Sequence, residues 1–248
     1  MSAPVDRVLV GRYRAARRDR GLAVLEGFHA LKHAIRFGAE LVEAVAADPE
    51  ELERLADELA PDLSGSLAAR VAPVTAEVIA QLAPQAPRTG VVAIARRPKV
   101  DLDALLVDPR EAPIVLLEDP RTMGNMGACV RVAAAADAAG VLTTGGNDPW
   151  HADALRGAAG LHFALPVTAI SALPVSDRPL VAIDPDGEDL RAADLPPRSV
   201  LAFGTERDGL SEELLSGADQ RLGIPMREGV SSLNLATTVA AVLFAQRL

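Results

Sequence analysis

The chain has 248 residues, 49% of them hydrophobic, with mean hydropathy +0.18 and a formal net charge of −9. That is enough apolar matter for one large domain or two modest ones, and it excludes an intrinsically disordered chain. The negative charge argues against a bulk polyanion binder, the single Cys129 excludes an internal disulfide or a multi-cysteine metal site, and no apolar run approaches the roughly 20 residues that span a bilayer. The first residues lack the unbroken apolar core of a secretory signal, so a cytoplasmic protein is expected.

Residues 1–20 hold Arg7, Arg12, Arg14, Arg17, Arg18 and Arg20 against Asp6 and Asp19, a local charge of +4 on a body that carries −13. Such a segment is either the solvated face of a helix or a local phosphate holder. From Leu22 short β-like runs alternate with helical ones: LAVLEG before FHALKHAIRFG, LVEAVAA before PEELERLADELA, then RVAPV, TAEVIAQLA and GVVAIARR. This predicts a small α/β unit over residues 1–97. Within it His29 and His33 stand four apart near Glu26. Without an H-E-x-x-H arrangement or a third ligand they read as surface or RNA-facing polar groups, and no metal is expected. Residues 98–112, with Pro98 and Pro109 among charges and Pro113 just beyond, read as a linker with one helical turn at Asp103–Leu106.

The second unit, residues 113–248, opens with PIVLLED, an apolar run suited to a central parallel strand. GNMGACVRVAAAADAAG reads as a helix, VLTTGG as a strand with a Gly-rich exit, and HADALRGAAGLHF as helical. PLVAID and SVLAFGTE are strands, SEELLSGA is a short helix capped by Ser211, and RLGIPM is the last strand. Leu235, Val239, Val242 and Leu243 then recur at the spacing of a closing buried helix. Alternating strands and helices imply a parallel sheet with ligands at the strands' C-terminal ends. There is no G-x-G-x-x-G after a strand, no P-loop and no G-x-S-x-G elbow.

Three stretches at predicted strand ends remain: GNMGACVR with Asn125, Gly127 and Arg131; FGTERDGL with Gly204, Glu206 and Gly209; and IPMREGVSSLN. Singly they read as a capped helix, a turn and another capped helix. In this order they resemble the motifs of the SpoU (TrmH-like) branch of the SPOUT RNA methyltransferases. Asn125, Gly127 and Arg131 match the first motif, Gly204, Thr205, Glu206, Gly209 and Leu210 the second, and Ile224–Met226 with Ser232–Asn234 the third. The resemblance runs from about Pro113 to the C-terminus, and DALRGAAGLHFALPV looks like the family's linking helix and strand. GLAVLEGFHALKHAIRFGAELVEAV is similar, more weakly, to the L30e-like domain often found ahead of it. Met123, where the family often has Pro, and Ala136–Asp137, where it often has Phe-Gly, depart from the pattern.

The resemblance implies an α/β fold: a parallel-sheet domain tied in a deep trefoil knot, an exception to unknotted topology, preceded by a smaller L30e-like substrate-binding domain. It implies methyl transfer from S-adenosylmethionine to a ribose 2′-hydroxyl of RNA, with ribosomal RNA ahead of transfer RNA, in a cytoplasmic homodimer. Phe203, Gly204, Ile224, Met226, Ser232 and Leu233, with Gly145, are then expected around the cofactor. Arg131, Asn125, Glu206, Ser232 and Asn234 are expected at the reacting groups, and Arg12, Arg14, Arg17 and Arg18 on RNA. The competing expectations are a non-catalytic ribosome-assembly factor of the same fold and a generic nucleotide-binding α/β enzyme.

Overall fold

The computed structural model describes residues 4–205 and 208–245. In chain order they form α1 (Pro4–Ala16), β1 (Leu22–Glu26), α2 (Phe28–Arg36), β2 (Leu41–Ala46), α3 (Pro49–Leu59), β3 (Ala72–Pro73), α4 (Ala76–Leu82) and β4 (Val91–Arg96). There follow α5 (Leu102–Val107), β5 (Ile114–Leu117), α6 (Met123–Ala135), β6 (Gly140–Thr143), α7 (Ala152–Gly157), β7 (Val167–Ala169) and β8 (Leu180–Asp189). The chain closes through β9 (Val200–Phe203), α8 (Glu212–Gly217), β10 (Gln220–Gly223) and α9 (Leu235–Ala245). Two compact units result, Met1–Pro98 with Trp150–Ala164 and Lys99–Pro149 with Leu165–Leu248.

In the first unit a four-stranded sheet runs β1-β4-β2-β3, antiparallel except for the parallel pair β2–β3. The basic N-terminal segment is a helix because Leu9, Val10, Tyr13 and Ala16 repeat at three- and four-residue steps and bury one face. That face joins Val78, Ile79 and Leu82 of α4 and Val24 and Val92 of the sheet in one core. Tyr13 is fully buried, its hydroxyl donates to the Val92 carbonyl at 3.1 Å, and burial pushes the phenol's pKa up.

Trp150–Ala164 belongs by its contacts to this first unit, whereas the sequence reading assigned it to residues 113–248. The reason lies in contacts between residues far apart in the chain. Arg156 Nη1 reaches Glu26 Oε2 at 2.8 Å, and His33 Nδ1 lies 2.7 Å from the Ala159 carbonyl. Gly160, at φ +77°, lies so close to α2 that a Cβ there would stand 2.5 Å from the Ala30 carbonyl oxygen. Trp150, His162 and Phe163 are buried together as a ring cluster. His33 is therefore half-buried and engaged in packing, in place of the RNA-facing role its spacing suggested.

The second unit begins earlier than expected. The presumed linker contains α5, capped by Asp101 Oδ1 accepting from Ala104 N at 3.0 Å, and Leu105 and Leu106 enter the core beside Ile114, Leu116, Leu142 and Val200. Buried Arg178 donates to the carbonyls of Leu105, Leu106, Asp108 and Ala112, so the turn after α5 is satisfied by a side chain about 70 residues away. The six-stranded sheet is parallel throughout, in the order β10-β8-β9-β5-β6-β7. Its central strand β5, IVLL, is buried at every position, as a strand covered on both faces requires. The chain runs outward from β5 through β6 to β7 and then crosses to the other side. That reversal puts the topological switch between β9 and β5, next to the β9 exit, where ligand crevices form in such sheets. α9 packs against α6 and buries Leu235, Val239, Val242 and Leu243. Among the described residues no helix is long and apolar enough to cross a membrane.

Candidate active site

A cavity of about 290 Å³ opens at the C-terminal ends of β9 and β10 and beside the middle of β8. Its wall is built from Ile183–Pro185 of β8, where the pairing with β9 ends, Phe203–Thr205 with Gly209 at the β9 exit, and Ile224 and Met226 after β10. Ser231, Ser232 and Leu233 close it, with Leu235 and Thr238 from the first turn of α9. The lining is apolar on one side and carries the hydroxyls of Thr205, Ser231, Ser232 and Thr238 and the carboxyl of Asp184 on the other. Such a mixture suits a planar heterocycle bearing a polar, hydroxylated arm.

The loop after β9 is held tightly by its own backbone. Thr205 and Gly209 exchange both N–H···O bonds, at 3.1 and 3.2 Å, and Asp208 N donates to Thr205 Oγ1 at 3.1 Å. Gly204 is required here, because a Cβ would fall 2.0 Å from the Gly209 carbonyl carbon. Glu118 Oε2 accepts from Ser211 N at 2.7 Å and joins the β5 exit to the start of α8. Arg121 Nη2 pairs with Asp208 at 2.8 Å across the same two exits.

The first and third motifs meet at one hydrogen bond. Asn234 precedes α9, where its Oδ1 accepts from Ala236 N at 3.0 Å as a cap, and its Nδ2 donates to Asn125 Oδ1 at 3.1 Å. The question of cap against site for this residue thus resolves as both a cap and a tie between helices. Helix α6 starts at Met123, with Thr122 in the capping position, so Asn125 lies inside the first turn and not at the cap expected for it. Arg131 stands on the exposed side of α6 and makes no hydrogen bond or ion pair among the described residues. Six residues are about 1.7 helical turns, so Asn125 and Arg131 point about 120° apart. The partner the geometry gives Asn125 is Asn234.

Of the residues expected around a cofactor, Phe203, Gly204, Ile224, Met226, Ser232 and Leu233 line this cavity together. Gly145 does not. At φ +83° it lies against the β5 exit, where a Cβ would stand 2.1 Å from Asp119 Oδ1, so its lack of a side chain serves the packing of Asp119. Glu206 falls outside the described residues. Sequence reading missed Asp184 and Thr238, and only the acidic end of the strand LVAID carried a signal for either; Thr205 was named in the second motif but not as a cavity residue. In the first unit, on α1 and the turn after it, Arg14 and Arg18 are exposed, Arg12 pairs with Glu43 at 2.6 Å, and Arg17 reaches buried Glu26 at 2.8 Å and the Leu82 carbonyl at 2.7 Å. Among the described residues no group of three or more His, Cys, Asp or Glu side chains is arranged to hold a metal ion.

A parallel α/β unit whose switch-point cavity is built from three neighbouring strands and a capped final helix is a ligand-binding domain of nucleoside-sized scope. The chain belongs to the SpoU rRNA Methylase family, whose model matches residues 112–244. It is 27% identical to the 23S rRNA (adenosine(1067)-2′-O)-methyltransferase of Streptomyces azureus, over 89% of this chain and 84% of that protein. It is 30% identical to an uncharacterised tRNA/rRNA methyltransferase of Synechocystis, over 93% of this chain and 85% of that one. The AdoMet-bound rRNA methyltransferase of Sinorhizobium meliloti superposes with a TM-score of 0.78 at 26% identity, covering 98% of this chain and 94% of that structure.

Proposed function

We propose that this chain transfers the methyl group of S-adenosylmethionine to a ribose 2′-hydroxyl of ribosomal RNA. The observation that carries the reading is the convergence of the β9 exit, the Ile224–Met226 turn and the Ser231–Leu233 approach to α9 on one cavity. The cavity fits the cofactor in kind: Ile224, Met226, Leu233 and Leu235 offer an apolar slot for adenine, and Thr205, Ser231, Ser232 and Thr238 offer hydroxyls to its polar arm. When bound, the cofactor's sulfonium supplies the activated methyl.

The protein's part is positioning and charge. The Asn125–Asn234 bond holds the start of α9 to α6, so the third-motif wall of the cavity keeps a fixed place relative to the first motif. Arg131, exposed and without a partner among the described residues, is free to clamp a phosphate or ribose oxygen of RNA and to stabilise negative charge developing on the 2′-oxygen. It is a poor proton acceptor, because a guanidinium stays protonated in proteins. Ser232, exposed at the cavity mouth, is available to the substrate side.

The reading extends to the whole assembly. The fold we infer is the knotted one, with the β9 and β10 exits wrapped about the cavity as its loops and the first unit as an L30e-like RNA-binding domain. The assembly is a homodimer, and α9 supports that reading: it is apolar around most of its circumference and leaves Phe244 38% exposed. Arg14 of α1 and Arg18 of the turn after it are the proposed RNA contacts of the first unit. Ribosomal RNA is preferred because the Streptomyces azureus relative is matched over nearly the full chain, and action on it places the protein in the cytoplasm. The test is transfer of labelled methyl to RNA from cells lacking the gene, followed by alkaline hydrolysis. Label in an alkali-resistant dinucleotide from ribosomal RNA is the expected result; label on a base, or none, overturns the reading.

A further inference from the structure

Asp184 is the only carboxylate among the described residues lining the cavity, and nothing said so far uses it. It stands within β8, one residue past Ile183, the last residue to pair with β9. Its side chain is only 13% exposed. One oxygen, Oδ1, is fully engaged: Arg221 Nη2 donates to it at 3.0 Å and Asp186 N at 2.9 Å. These two donors fix the carboxylate's orientation from behind. Its other oxygen, Oδ2, accepts no hydrogen bond among the described residues.

A carboxylate oxygen held in place through its sister oxygen, and without a protein donor of its own, is an acceptor ready for a ligand donor. Which donor fits is decided by charge. Arg221 already neutralises Asp184, so the pair offers strong acceptor capacity with little net field. That favours a neutral hydroxyl over a cation such as an ammonium, for which an unpaired carboxylate would be the better host. A carboxylate is also the group with which dinucleotide-binding α/β folds read ribose hydroxyls. We infer that Asp184 is a specificity residue of the cofactor site, accepting hydrogen bonds from the ribose hydroxyls of the cofactor's adenosine, with Arg221 as its positioning residue. The inference rests on the cofactor reading above.

The test compares two probes by calorimetry, S-adenosylhomocysteine and its 2′,3′-dideoxyribose analogue. The native protein should bind the first about 10- to 100-fold more tightly, the worth of a hydrogen bond to a charged group. In Asp184→Ala and Asp184→Asn the ratio between the two probes should collapse toward one for alanine and shrink for asparagine. Because the ratio is taken within each variant, a general loss of affinity from a disturbed β8 cancels, and thermal melting checks that each variant is folded. A native protein that binds neither probe, with or without RNA, removes the cofactor reading and this inference with it. A native ratio near one, or an unchanged ratio in Asp184→Ala, overturns the role of Asp184 alone. So does a variant that loses discrimination only against a des-amino analogue, which would assign the carboxylate to the ammonium.

Discussion

Arg131, proposed above to act on RNA, is exposed and makes no hydrogen bond or ion pair among the described residues. Its removal should therefore be cheap for the fold. Arg131→Ala should leave the melting temperature and S-adenosylhomocysteine affinity unchanged while lowering single-turnover methyl transfer by a factor on the order of 10² to 10³, the usual cost of one donor to a developing oxyanion. Arg131→Lys should restore little, since a point charge does not reproduce a planar fork. Near-native transfer in a folded Arg131→Ala sample would remove it from the reaction. Asn125 and Asn234 contrast with it: each was readable from its motif, but their mutual hydrogen bond was not, because it joins positions 109 apart in the chain.

The elements divide by whether their cause is local. Strand β5 and helix α9 were legible because periodicity and unbroken apolar runs are properties of the strand or helix itself. Helix α5 was legible only as one helical turn at Asp103–Leu106, and its place in the core was not, because its two buried leucines sit among prolines and charges and the arginine that satisfies its last carbonyls is Arg178. The segment around α7 failed for the same reason: its attachments to Glu26, Ala30 and His33 are tertiary. One of those attachments has a pH signature. Burial first holds the His33 ring below the usual 6.5; the Ala159 carbonyl pulls the other way, and Lys32, Arg36 and His29 add to the lowering. The folded ring then binds its proton less readily than the unfolded one. Stability is complete above the unfolded value and is lost as pH falls from there through the lowered folded value. The stability difference between the native protein and His33→Gln should therefore shift against the native protein as pH is lowered from about 8 to about 5 in urea titrations. Parallel curves for the two would show that His33 titrates alike in both states.

At the scale of the whole molecule, the charge is the feature to explain: a chain of net −9 that is proposed to hold a polyanion. The local +4 of the first 20 residues was plain in the sequence, but its division of labour needed the structure. Helix α1 buries Leu9, Val10, Tyr13 and Ala16, and this fixes which arginines face out. Arg17 is drawn inward to Glu26, whose side chain is 2% exposed and is shared with Arg156. Removing Arg17 should therefore act on the fold: it unbalances a buried carboxylate, at a cost below the 3–5 kcal/mol of a fully buried pair because Arg156 remains. Arg14 and Arg18 are exposed, and Arg12 is tied only to the partly exposed Glu43. Each phosphate contact releases counterions and adds roughly 0.7 to 0.9 to the slope of log affinity against log salt. The double variant Arg14→Ala/Arg18→Ala should lower that slope for ribosomal RNA fragments by about 1.5 and leave the melting temperature and cofactor affinity alone. Arg17→Ala should do the reverse, lowering the melting temperature with little change in slope. Equal slopes for the double variant and the native protein would make Arg14 and Arg18 a solvated helix face, and the RNA would then have to be held by surfaces elsewhere on an otherwise acidic chain.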